Sequence, residues 1–302
     1  MAKENTHLFF AHRVLEDLEN QHLLVELSRN MGFYYLGSII PDTFYYSADE
    51  SARMVSETLH GKTGNLTNEF IFQVLDKAQG MQDIAFIMGY ITHCALDITL
   101  HPTVYYFSGN YYDHDQDARD HAIYMHRHIE TWLDAYLENP LRIYALIRPK
   151  LMHALSAEKI LSERFAVPPA RIQQILYKQL FSNLVFTSTA AYRIAKLLAF
   201  IGIMKDSKTL GLFYGDIRTR HTCSSQQRAY RDIITGETRN ASVRELMSAA
   251  AEKAKVMMEA ALDYHLGRID RKDLCRLIPG ESLDTGKIGA TTDMIRYTLH
   301  NS

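Results

Sequence analysis

The segment FIMGYITHCALDITLHP, residues 86–102, restricts the fold of this chain more than any other stretch. Within an otherwise apolar run it sets His93, Asp97 and His101 four residues apart, and on an α-helix residues at i and i+4 share a face. A second segment, MHRHIETWLD, sets His126 four residues before Glu130. Burying so many ionisable groups on apolar helix faces is costly unless they are paired or metal-bound. The pattern therefore asks for helices that pack their apolar faces inward and bring imidazoles and carboxylates to one polar centre. Nitrogen and carboxylate oxygen, with no thiolate in the pattern, suit Zn²⁺, with Fe²⁺ or Mn²⁺ as secondary choices.

Helical spacing of apolar residues recurs along the rest of the chain, and no alternating run is long enough to indicate a sheet. Helices are expected near residues 6–30, 50–60, 67–78, 82–101, 117–138, 140–152, 156–166, 169–203 and 242–267. Pro102 should end its helix at His101, because proline disfavours helical geometry in the residue before it. Ser242 and Glu245 have capping-box spacing and mark the start of the last long helix. Residues 205–241 are polar and read as a long connection or lid, and the tail, 280–302, reads as loosely structured. The expected architecture is all-α, one domain over 1–302, with a ligand-bearing core in 6–136 and a helical remainder in 140–267.

Charge and cysteine usage exclude other classes. Thirty-three basic residues nearly balance 35 acidic ones, so no global field favours nucleic acid or an anionic surface, although a local patch can still exist. Cys94, Cys223 and Cys275 are odd in number and far apart, which argues against a disulfide framework and for a reducing compartment. The first twenty residues lack the pattern of a secretory signal, and the most apolar later stretch, 194–204, is broken by Lys196 and too short to span a bilayer. A cytoplasmic location without a transmembrane segment is expected.

The motifs also come in a telling order: His7 in THLFF, Asp42 in GSIIPD, His60 in LHGK, then His93 and Asp97 in GYITHCALD, and His126 and Glu130 in HRHIETWLD. This series resembles the zinc-dependent phospholipase C family, whose wider superfamily includes fungal single-strand nucleases built on three clustered zinc ions. The resemblance covers about residues 6–136 by motif. It implies metal ligation by His7, Asp42, His60, His93, Asp97, His126 and Glu130, with Asp97 bridging and Asp42 or Asp97 as the catalytic carboxylate. Two departures stand out. The histidine after the bridging aspartate, His101, follows it by four residues instead of six, and the N-terminal tryptophan ligand of the secreted enzymes has no counterpart, since the single tryptophan is Trp132. Two or three zinc ions are thus both compatible with the ligand set.

Two metal ions about 3.5–4 Å apart suit phosphoester hydrolysis, since they can activate water and offset charge on phosphoryl oxygens. A small-molecule or lipid phosphoester is the expected substrate. A nucleotide or polynucleotide phosphoesterase on the same centre, or a non-catalytic protein that metals merely stabilise, are the alternatives. His12, His22, His114, His121 and His128 carry no comparable spacing and read as solvated or locally hydrogen-bonded. DHDQDARD, 113–120, lacks the glycine and closing glutamate of a calcium loop and reads as a solvated helix start. Residues 157–176 have a helix-turn-helix look, but the double proline favours bundle packing. Asp134, one turn after Glu130, is a candidate partner for a ligand imidazole. Tyrosines and phenylalanines at 34, 35, 44–46, 105–107, 111 and 112 flank the ligands and could line a cleft.

Overall fold

The structure, a computed structural model, describes residues 3–137, 142–204, 206–217 and 227–299. It is all-α apart from one small hairpin. In chain order the helices are α1 (Glu4–Glu16), α2 (Gln21–Arg29), α3 (Met31–Thr43), α4 (Glu50–Leu59), α5 (Asn68–Lys77), α6 (Met81–Ser108), α7 (Gln116–Tyr136) and the single turn α8 (Ile143–Leu146). There follow α9 (Ser156–Phe165), α10 (Pro169–Thr187), α11 (Thr189–Phe200), the turn α12 (Tyr214–Ile217), α13 (Val243–His265) and α14 (Arg271–Leu277).

Helix α6 is the axis of the molecule. By length and apolarity it could cross a membrane, yet 94% of that apolar window is buried inside the protein, as expected of a core helix ringed by α1, α3, α5, α7 and α13. Its closest neighbour is α3, and two glycines explain the approach. A Cβ on Gly37 would fall 1.9 Å from the Phe86 carbonyl oxygen, and one on Gly89 would fall 1.8 Å from that of Tyr34. The two backbones therefore touch where both side chains are missing, and Ser38 and Asp42 on α3 are carried against His93 and Asp97 on α6.

Several expectations need correction. Pro102 does not end α6, which runs to Ser108 and stops at Gly109, where φ is +100°. A proline inside a helix removes the amide donor to the carbonyl four residues back, here Ile98, and that carbonyl faces the C-terminal segment at Gly286. The stretch 6–30 is two helices, capped at Asn20, whose side chain accepts from the Leu23 amide. Likewise 169–203 breaks at Ser188, the cap of α11. Within 205–241, strands β1 (Arg228–Arg231) and β2 (Thr238–Ala241) pair antiparallel, with Arg228 opposite Ala241. Four-residue strands are too short for alternation to show in sequence.

The tail was expected to be loose, but its described part is packed. Leu283 is fully buried, its amide donates to the His60 carbonyl, and the amides of Arg296 and Tyr297 donate to that of Ile233 in the hairpin turn. Other readings agree with the fold: Ser242 and Glu245 form a reciprocal capping box, Asp115 caps α7, and Gln173 donates to the Pro149 carbonyl within the bundle.

Candidate metal centre

Five separate helices deliver the eight predicted ligand residues to one buried region. Helix α1 supplies His7, the end of α3 supplies Asp42, the C-terminus of α4 supplies His60, α6 supplies His93, Asp97 and His101, and α7 supplies His126 and Glu130. All eight are buried. Seven of them form two groups able to hold an ion, Asp42 with His60, His93 and Asp97, and His101 with His126 and Glu130, and His7 stands outside both groups.

In the first group His60 Nε2 lies 3.1 Å from Asp42 Oδ1 and 3.6 Å from Asp97 Oδ2, while His93 Nε2 lies 3.8 Å and 3.1 Å from the same two oxygens. In the second, Glu130 Oε1 is 3.0 Å from His126 Nε2 and 3.5 Å from His101 Nε2. Asp97 joins them, because its other oxygen, Oδ1, is 3.4 Å from His101 Nε2 and 3.4 Å from His7 Nε2. His7 stacks on His93 with centroids 3.7 Å apart and points at Asp42 Oδ2 from 3.8 Å. Donor atoms about 2.1 Å from a tetrahedral ion stand about 3.4 Å from one another, so these separations are those of ligand edges. The Nε2 atoms of His7, His60, His93 and His101, both Asp97 oxygens and Asp42 Oδ1 make no hydrogen bond among the described residues. Orphaned buried polar atoms are rare in folded proteins, and seven facing one another fit a divalent metal.

The outer ring nitrogens explain why the Nε2 atoms are free to ligate. His60 Nδ1 sits 2.7 Å from the Ser56 carbonyl, His93 Nδ1 2.8 Å from that of Ser38, and His101 Nδ1 3.0 Å from that of Leu283. A carbonyl only accepts, so each ring must place a proton on Nδ1 and can offer the Nε2 lone pair inward. Asp134 does not play this part. It accepts from the Thr6 amide at 2.7 Å, from the Thr6 hydroxyl and from Tyr214, and so fixes the first turn of α1 beside His7.

Electrostatics in the metal-free state follow from burial. Desolvation pushes His7 and His101 down to about 3 and His126 well below its ordinary value, leaving neutral imidazoles. Burial also opposes a charge on His60, but the Asp42 and Asp97 carboxylates outweigh it and push its pKa up to about 10. For Asp97 burial again acts first, raising the pKa, and His101, His93 and His7 together reverse it to well below the carboxylate range. Glu130 is raised, chiefly by burial.

On the solvent side stand half-buried tyrosines. The Tyr45 ring lies 5.4 Å from His60 and the Tyr111 ring 5.4 Å from His126, with Tyr112 beside Tyr111. Tyr105, buried, packs 4.7 Å from His126 and donates to Asp284 Oδ1 at 3.2 Å. Asp284 and Leu283 were missed in the sequence. They lie in ESLDTGK, which has no helical periodicity, and only the path of the tail brings them within reach of His101. Of the histidines read as solvated or locally hydrogen-bonded, His12 bonds Tyr35, whereas His128 departs from that reading: it is buried and pairs with Asp216, 88 residues away, at 3.1 Å.

Fold and site together define an all-α protein, one small hairpin apart, with a buried histidine and carboxylate centre able to hold metal. The profile of the zinc dependent phospholipase C family matches residues 6–181, and the chain belongs to that family. By family it is a zinc-dependent, phospholipase C-like hydrolase. All eight predicted ligands fall inside the match, whereas α11 to α14 and the 283–284 pair fall beyond it. No curated protein and no solved structure matches the chain.

Proposed function

We propose that the chain hydrolyses a phosphodiester at a centre of at least two zinc ions, one held by Asp42, His60, His93 and Asp97 and the next by Asp97, His101, His126 and Glu130. The observation that carries this reading is the division of Asp97, with Oδ2 toward His60 and His93 and Oδ1 toward His101 and His7. A carboxylate turned that way would be shared between the two groups of ligands when metal is bound. Zinc bound there would supply activated water and polarise a phosphoryl oxygen.

The chain's own residues do the rest. Asp97 turns one oxygen toward each ligand group, so it serves as scaffold and not as base. Asp42 engages His60 through Oδ1, while its Oδ2 comes no nearer to His7 than 3.8 Å. That oxygen is the one we assign to orienting and deprotonating the attacking water. His7, stacked on His93 with its Nε2 toward Asp42 and Asp97, would help hold a third ion or meet a substrate oxygen. Tyr45, Tyr111 and Tyr112 form the rim that a substrate's organic group meets. A reducing, cytoplasmic setting belongs to the proposal and rests on the dispersed cysteines, of which Cys94 and Cys275 are free thiols.

The test is metal analysis of the purified protein, then a screen of phosphocholine lipids, nucleotides and an aryl phosphodiester with and without chelator. Chelator-sensitive turnover that zinc restores supports the reading. Full zinc occupancy with no turnover of any of these would leave the metals a structural role.

A further inference from the structure

Helices α10 and α11 expose apolar surface that a soluble protein normally buries. Helix α11 reads TAAYRIAKLLAF, and of its twelve residues only Tyr192 is buried. Ala191, Tyr192 and Ala195 face the cluster of Phe186 and Phe213, while Ile194 and Leu197 point outward. Ile194 is 60% exposed, Phe200 88% and Ile203 66%, and on α10 Phe181 is 66% exposed with Tyr177 and Leu184 on the same face. Scattered exposed apolar residues are ordinary, but this many on two consecutive helices and the turn that follows α11 mark an interaction surface.

The charge on this stretch identifies the partner's chemistry. Between residues 165 and 205 the chain carries Arg171, Lys178, Arg193, Lys196 and Lys205 and not one Asp or Glu, although its overall net charge is −2. Arg193 and Lys196 are exposed and interleave with Ile194 and Leu197 on α11. A two-fold dimer through this face would set these cations against their own copies, with no carboxylate of α10 or α11 to offset them. Apolar side chains whose first flanking carboxylate is Asp206, beyond the last of them, and whose charged neighbours on α10 and α11 are all cations, match a surface of anionic headgroups over acyl chains.

We propose that the α10–α11 pair docks the protein on an anionic phospholipid surface, with Leu197, Phe200, Ile201 and Ile203 entering the headgroup boundary and Arg193, Lys196 and Lys178 contacting phosphates. The inference holds whether or not that lipid is the substrate. The pair is also rooted beside the metal centre. On α10, Gln179 accepts from Thr43 at 2.8 Å and donates to Glu4 at 3.0 Å, and Asn183 donates to Tyr46 at 3.1 Å, so the α3 segment that carries Asp42 is held against it.

The test is co-sedimentation of the zinc-loaded protein with vesicles of phosphatidylcholine alone and with added phosphatidylglycerol, at low and high salt. Recovered lipid is assayed in the same pellets, so binding and hydrolysis are read separately. Binding should require phosphatidylglycerol and weaken with salt, and Leu197→Glu with Phe200→Glu should reduce it at least about tenfold. Arg193→Ala with Lys196→Ala, which removes two exposed cations and the contact of Lys196 with the Tyr192 ring, should do likewise. Both variants should keep the wild-type melting curve and turn over a soluble aryl phosphodiester within about twofold of wild type. Equal binding to neutral vesicles, no binding to either, or variants that bind like wild type would overturn the proposal. So would a wild-type dimer in sedimentation velocity that Leu197→Glu with Phe200→Glu converts to monomer, which would assign the face to self-association.

Discussion

Stripping the metal should cost this protein much of its stability, not only its activity. Seven buried ligand atoms, on His7, Asp42, His60, His93, Asp97 and His101, have no hydrogen-bond partner among the described residues. A buried polar atom left unsatisfied costs about 1–3 kcal/mol, so the set amounts to about 7–21 kcal/mol, less what a proton shared between His60 and Asp42 recovers. Domains have only about 5–15 kcal/mol in total. The metal-free arrangement therefore cannot persist as it stands, and metal binding is coupled to its folding. The assay is elemental analysis of the purified protein together with circular-dichroism melts before chelation, after it and after zinc is restored. A loss of about 5 kcal/mol or more corresponds to a drop in melting temperature of about 8 °C or more in a chain of 302 residues. Zinc should reverse the drop. A protein that is metal-free as purified, with a melting temperature that saturating zinc leaves unchanged, would refute the argument.

Four further outcomes are expected. Asp42→Asn should lower kcat by about 10²- to 10⁴-fold while the protein keeps most of its zinc; an equal loss of metal would make Asp42 a ligand only. Glu130→Ala should abolish phosphoester hydrolysis yet leave the helical circular-dichroism signal in place, and unfolding instead would favour a structural metal. Gly89→Ala should destabilise by 3 kcal/mol or more in urea titration and lower zinc content, because its methyl would meet the Tyr34 carbonyl, and that backbone cannot rotate aside as a side chain could. Acid should destabilise too: burial holds His7 and His101 at about 3, below the unfolded value of about 6.5, so the stability each contributes is complete above pH 6.5 and is lost as pH falls toward 3. That loss runs at about 1.4 kcal/mol per pH unit for each ring, in the same sense as proton competition with zinc, and a melting temperature flat from pH 7.5 to 5 would contradict it.

Much of the site could be read from the chain because helices convert sequence spacing into geometry. His93, Asp97 and His101 share one face of α6, and His126 and Glu130 one face of α7, whatever the rest of the molecule does. The same spacing gave no account of His7, Asp42 and His60, each isolated in its segment. Their grouping came from the order of motifs that the family shares, an order whose geometric meaning appears only when three helices converge on α6. Pro102 misled for a physical reason: it weakens a helix locally, but packing on several sides of α6 outweighs the lost hydrogen bond.

The sequence by itself determined the helical class, the two ligand-bearing faces and the kind of ion they suit, since all of these depend on residue type and a period of 3.6. Tertiary structure alone decided that Gly37 and Gly89 let α3 and α6 touch, so that the Ser38 carbonyl orients His93 and Asp42 reaches His60. It alone returned an aperiodic tail to the centre, where the Leu283 carbonyl fixes the His101 tautomer from 182 residues away. Backbone carbonyls and close approaches leave no signature in side-chain spacing, because every residue carries a carbonyl and only the folded path determines which one faces an imidazole.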